Sequence, residues 1–128
     1  MSDERLRFRK GERILRRGDF LRVQRLGHKV QTPSFVIMLL PAEQTRLGIT
    51  VTRKTAGAVG RNRIKRLVRE VYRRNRPLFP ERCELVLLAR RGAPALDYAA
   101  LRAELSQASA QLHRVAAAAH AHPREPRA

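Results

Sequence analysis

The chain has 128 residues, with 28 Lys and Arg against 11 Asp and Glu, a net charge of +17 and a pI near 11.8. That length supports one domain with a modest core, and that charge favours polyanionic partners without specifying a fold. A single cysteine, Cys83, excludes an internal disulfide and a cysteine-built zinc cluster. The start, MSDERLRFRK, has no apolar signal core, and no stretch approaches the ~20 apolar residues of a membrane span, so a cytoplasmic location is expected.

Residues 1–13 read as a flexible basic segment that orders on binding. Asp19 is expected to cap a short helix running to Leu26, with Gly27 as its stop and Phe20 and Val23 on one face. A short strand is expected at residues 29–32, and residues 35–40 read as a buried strand. Residues 46–52 alternate: Leu47, Ile49 and Val51 point one way, and Arg46, Gly48, Thr50 and Thr52 the other. These two strands are expected to form a hairpin across residues 41–45. A small-residue connection, residues 53–60, leads into a basic helix that stops near residues 75–77. Residues 84–89 have the continuous apolar character of a central strand covered on both faces. Asp97 then caps a long helix whose buried stripe is Leu101, Leu105, Leu112 and Val115. Residues 14–118 are expected to form the domain and residues 119–128 a disordered tail. The order α-β-β-β-α-β-α predicts a single-domain α+β sandwich.

The basic helix is the most informative stretch. At about 100° per residue, Ile64, Leu67, Val68, Val71 and Tyr72 share one arc, and Asn62, Lys65, Arg66, Arg69 and Arg73 the adjoining one. Lys65, Arg69 and Arg73 stack at i, i+4, which costs an isolated helix roughly 0.2–0.5 kcal/mol per like-charged pair. Arg61 and Arg63 near the helix start oppose the macrodipole. A dense anionic partner relieves all of these penalties, and nucleic acid is the obvious one. An acidic membrane is the competing partner, but the apolar arc is short and β-branched, as suits packing on a sheet.

The chain is poorly equipped to cut a polyanion. In the expected folded region its acidic residues are scattered singly, with no carboxylate cluster for Mg²⁺. Glu70 lies four residues from both Arg66 and Arg74 and reads as an intrahelical ion-pair partner. His28 is expected in a loop and His113 in the late helix, and the His120-Ala-His122 pair falls in the expected tail. Gly57 and Gly60 fit neither a dinucleotide fingerprint nor a P-loop.

The run from Arg61 to Glu70, RNRIKRLVRE, resembles the signature helix of the bacterial ribonuclease P protein component. The resemblance extends through Gly18-Asp19-Phe20, Arg46-Leu47-Gly48-Ile49-Thr50-Val51, Arg53-Lys54 and Leu87-Leu88-Ala89-Arg90, in order and spacing. It implies a left-handed crossover through the central helix, where the general rule favours a right-handed one. It also implies that a large RNA subunit holds the Mg²⁺ ions and hydrolyses precursor tRNA, while the protein supports that RNA and holds the 5′ leader.

Carried over residue by residue, the resemblance makes Arg61, Asn62, Arg63, Lys65, Arg66 and Arg69 the RNA-subunit contacts. Asn62 is also open to a second role as a helix cap. Phe20, Thr50 and Lys54 become the leader cleft, with Phe20 either an aromatic platform for unpaired bases or a core residue. The chain departs from the pattern at Gln24 and Met38, where some relatives carry aromatics, and at Gly57, where asparagine is common. The expected partners are the RNA subunit and precursor tRNA, with no obligate protein partner. A structural ribosome-associated RNA binder is the alternative, and a protein-only nuclease a third.

Overall fold

The most apolar run of the chain takes the centre of the sheet. In the computed structural model, which describes residues 8–91 and 93–122, this strand is Cys83–Ala89. It pairs antiparallel with Phe35–Pro41 on one side and parallel with Arg46–Thr50 on the other. Numbered along the chain, the strands are β1 (His28–Gln31), β2 (Phe35–Pro41), β3 (Arg46–Thr50) and β4 (Cys83–Ala89). The helices are α1 (Arg17–Leu26), α2 (Ala58–Arg74) and α3 (Tyr98–Ala121). Among the described residues the sheet is four-stranded, in the order β1-β2-β4-β3. Helix α2 is thus the crossover between parallel neighbours β3 and β4.

The expected β2–β3 hairpin does not form. Consecutive strands pair by default, but β4 is apolar on both faces and gains most from a central position. It inserts between β2 and β3, matching Leu85 with Leu39 and Leu47, and Leu87 with Ile37 and Ile49.

The two faces of the sheet are covered differently. On one face Phe35, Ile37, Leu39, Leu47, Ile49, Leu85 and Leu87 pack under α2 and α3 in a single cluster. Helix α2 contributes Ile64, Val68, Val71 and Tyr72, and α3 contributes Leu101, Leu105, Ala108, Leu112, Ala116 and Ala119. On the other face Val23 of α1 and Ile14 of the preceding segment cover Met38, Leu40 and Val86, and Phe20 packs at the margin. Gly27 permits this close seat: a Cβ there would lie 2.4 Å from the Val23 carbonyl oxygen and 3.2 Å from the Leu39 nitrogen. The β1–β2 turn is tied to α3 by Glu104, which accepts from Thr32 Oγ1 at 2.6 Å, Ser34 N at 2.9 Å and Ser34 Oγ at 2.8 Å.

Four element boundaries differ from expectation. Helix α1 starts at Arg17, so Asp19 lies in its first turn, where it favours the helix dipole, and is not the cap. The folded region begins before residue 14: Phe8 is buried and its ring meets Tyr72 edge-on at 5.3 Å, within the stretch expected to be flexible. Residues 1–7 of that stretch lie outside the described residues. Helix α3 runs to Ala121, and Ala119 is fully buried, so residues 119–121 belong to the domain and not to a tail. Helix α2 starts at Ala58 behind Gly57, one turn earlier than the charge pattern suggested. Asp97 does cap α3, its Oδ1 accepting from Ala100 N at 2.8 Å. Cys83 is a buried core residue, and burial pushes its thiol up to about 11.

Candidate nucleic-acid interface

Helix α2 turns its cations in three directions. Towards the preceding loop, the half-buried Arg61 donates from Nη1 to the Ala56 carbonyl at 3.0 Å. Towards α3, Arg63 donates from Nη2 to the Leu96 carbonyl at 2.6 Å, and Glu70 pairs with Arg73 and Arg74, each at 2.7 Å. The hydrogen bond from Arg73, helped by the charges of Arg73 and Arg74, holds the Glu70 carboxyl below the usual carboxylate range against the opposing effect of burial. Between these two sides, Asn62 and Arg66 are solvent-exposed and Arg69 is half-buried.

Asn62 is not the helix cap. Gly57 holds that place with no side-chain bond, and Asn62 sits beyond the first turn. The N–H groups left unpaired by the helix start belong to Ala58, Val59 and Gly60, because Arg61 N already donates to Gly57 O at 2.8 Å. Small residues at these three positions expose that end of the helix, and Val59 is 81 % exposed. Their low charge is what made the first turn look like a loop in the sequence.

The second feature is an open groove of about 400 Å³ beside α1, lined by Leu15, Arg17, Phe20, Leu21, Gln24, Ile49, Thr50, Val51 and Lys65. Phe20 and Thr50 meet here as expected. The Phe20 ring is half-buried, part of the α1-side core and part groove wall. It sits so close over β3 that a Cβ on Gly48 would come within 2.5 Å of a ring carbon. Gln24 donates to Thr50 Oγ1 at 3.3 Å, so the departure at this position places an amide in the groove wall. Met38 is buried under α1 and does not line the groove.

Lys54 is not brought to the groove. It is exposed in the turn after β3, and the lysine that lines the groove is Lys65 from α2. Lys65 falls at the edge of the apolar arc, next to Ile64 and Val68, and that edge position was the available signal. Leu15 and Leu21, 58 % and 50 % exposed, were missed as well. Lone leucines among arginines carry no periodic signal, yet here they make an apolar floor bounded by cations.

Among the described residues, no group of three or more His, Cys, Asp and Glu side chains could hold a metal ion, and no helix is long and apolar enough to cross a membrane. What the surface offers is an apolar groove with an aromatic wall beside a cationic helix, features that suit the class of RNA-binding proteins. The comparisons specify the class. Residues 8–113 match the ribonuclease P family. The ribonuclease P protein component of Citrifermentans bemidjiense is 40 % identical over 109 residues, covering 84 % of this chain and 93 % of that protein. That of Desulforapulum autotrophicum is 42 % identical over 102 residues, covering 78 % and 87 %.

Among solved structures, the Thermotoga maritima ribonuclease P protein superposes with a TM-score of 0.69 at 33 % identity, covering 81 % of this chain and 97 % of that one. The Staphylococcus aureus protein gives 0.70 at 28 % identity, covering 83 % and 98 %. The chain belongs to the bacterial ribonuclease P protein component family, the protein part of a tRNA-processing ribonucleoprotein whose RNA is the catalyst.

Proposed function

We propose that this chain docks on the ribonuclease P RNA subunit through α2 and holds the 5′ leader of precursor tRNA in the groove between α1 and β3. The observation that carries the reading is the arc of α2 where the side chains of Asn62, Arg66 and Arg69 make no hydrogen bond or ion pair to any described residue. Arginine suits that role because its planar fork grips two phosphate oxygens at once. Arg61 and Arg63 work from the flanks, each anchored to a backbone carbonyl. In the groove, Phe20 stacks on an unpaired base whatever its identity, Thr50 and Gln24 supply polar contacts, and Lys65 meets the backbone. Lys54 serves as an outlying cation. Mg²⁺ is held mainly by the RNA, which performs the hydrolysis, and the complex works in the cytoplasm.

Cleavage of precursor tRNA by the cognate RNA subunit at low Mg²⁺, with and without this chain, tests the reading. Stimulation by the chain is the expected result. RNA-subunit binding without any change in cleavage would favour a structural ribosome-associated role instead.

A further inference from the structure

Helix α1 has little apolar grip on the sheet. Val23 is its one buried side chain. Apolar contact has no direction, so by itself it leaves a helix free to roll and slide. What fixes the seat of α1 is polar. At about 100° per residue, Arg22 and Gln24 leave the helix on either side of Val23. Gln24 donates to Thr50 Oγ1 at 3.3 Å on the groove flank. On the far flank Arg22 Nη1 lies 3.5 Å from Glu84 Oε1.

A strand selected for stability alone would not carry Glu84. Strand β4 is otherwise apolar, and Glu84 is the one buried charged residue among the described residues, 8 % exposed. Alternation turns it towards α1, with Val86 and Leu88. In register it lies between Leu40 of β2 and Arg46 of β3, and Arg46 Nη1 stands 3.9 Å from Glu84 Oε2. Burying a carboxylate is costly, and an apolar side chain of similar size is often more stable in such a place. The charge is therefore explained by what it arranges. At 3.5 Å its pull on Arg22 is Coulombic rather than that of a tight hydrogen bond, and burial of the carboxylate protects that pull from full solvent screening.

We propose that Glu84 is a positioning residue for precursor recognition: through Arg22 it fixes the roll of α1, and with it the opening of the groove between Phe20 and β3. This rests on the leader-binding reading above. Arg22 and Gln24 act as opposed stays, and removing the Glu84 charge releases the far one. Phe20 lies one turn before Gln24 on the same side of α1, so a roll of the helix moves the ring relative to Gly48 and Thr50. Glu84 lines no part of the groove and acts only through the helix.

The test is Glu84→Gln, which keeps the size of the side chain and removes its charge, in holoenzyme reconstituted with the cognate RNA subunit. The quantity read is the ratio of precursor to mature tRNA affinity. Removing a negative charge from a protein of net +17 favours both RNAs alike, so electrostatics alone raises both affinities and leaves the ratio unchanged. Positioning predicts a ratio lower by about twofold or more, a fraction of what one stacked base is worth. Arg22→Gln alters a side chain that is 49 % exposed and keeps the test open should the buried substitution fail to fold. It is expected to lower the ratio by the same factor, the double variant no further, and Arg22→Lys to keep the parental ratio. An unchanged ratio in both single variants, or losses that add in the double, would overturn the proposal.

Amide exchange in the free chain reads the same tether without RNA. Exchange is expected to quicken in residues 17–26 of Glu84→Gln and to stay at the parental rate in α3. Equal quickening in both helices, or none in α1, would overturn the positioning role. Phe20→Ala tells the two readings apart. If it lowers the ratio and the Glu84 and Arg22 variants do not, the groove stands and the positioning role falls. If Phe20→Ala leaves the ratio intact, leader binding in the groove falls, and the positioning role with it.

Discussion

The two faces of the sheet are built to different ends. Under α2 and α3 the side chains interlock into one continuous cluster, with Phe35, Ile37, Leu39, Leu85 and Leu87 all fully buried. Under α1 the packing is thinner: a ten-residue helix covers only part of the face and leaves Leu15, Leu21 and the Phe20 edge in contact with solvent. The first face contributes stability. The second buries less apolar surface and leaves an apolar wall open to solvent. The same sheet can do both because side chains alternate across it, so Leu85 and Leu87 serve one face and Val86 and Leu88 the other.

Substitutions should separate the faces by size of effect. Leu87→Ala removes a fully buried side chain at the centre of the thick face and should cost about 2–5 kcal/mol, read by chemical denaturation. A loss well below that range would mean the core there is looser than its burial implies. Glu104→Ala strips the acceptor from Thr32 Oγ1, Ser34 N and Ser34 Oγ and should cost about 1–3 kcal/mol. Its effect should fall on the β1–β2 turn and appear first as faster amide exchange there.

On the thin face, Phe20→Ala should cost less stability than Leu87→Ala but lower affinity for precursor tRNA by about 1–3 kcal/mol relative to mature tRNA. Equal losses for both RNAs would mark Phe20 as a core residue only. Gly48→Ala should mimic that phenotype with the ring still present, because a Cβ 2.5 Å from a Phe20 ring carbon must push it away. The smallest effect concerns pH. The Cys83 thiol titrates at about 11 in the folded protein, above an ordinary thiol. The fold therefore favours the protonated form, and its contribution is complete below the ordinary thiol pKa and lost as pH rises towards 11. Alkylation of Cys83 at mildly alkaline pH should accordingly track unfolding, and rapid labelling of the folded protein would contradict this.

Much of the fold was legible in the sequence because its signals are local. The apolar run of β4, the alternation of β3 and the cap at Asp97 each depend on neighbours within a few residues. The strand order was not legible, since β4 lies far along the chain from both strands it joins, and the hairpin expectation rested on adjacency. Phe8 was missed because a single aromatic among arginines has no period; its burial depends on Tyr72. For the candidate site, the cationic arc of α2 could be read directly. The choice between Lys54 and Lys65 could not, because it depends on where α1 lies across the sheet.

The central place of β4 also bears on how the molecule is made. During synthesis β2 and β3 emerge first with no strand to join them, and the basic helix follows before the hydrogen bonds that will anchor it exist. Only when residue 89 has left the exit tunnel can the ladder close on both sides at once, a non-local step of the kind that slows folding. Until then the nascent chain presents its arginines on an unfinished scaffold, and premature capture by surrounding nucleic acid competes with completion of the core.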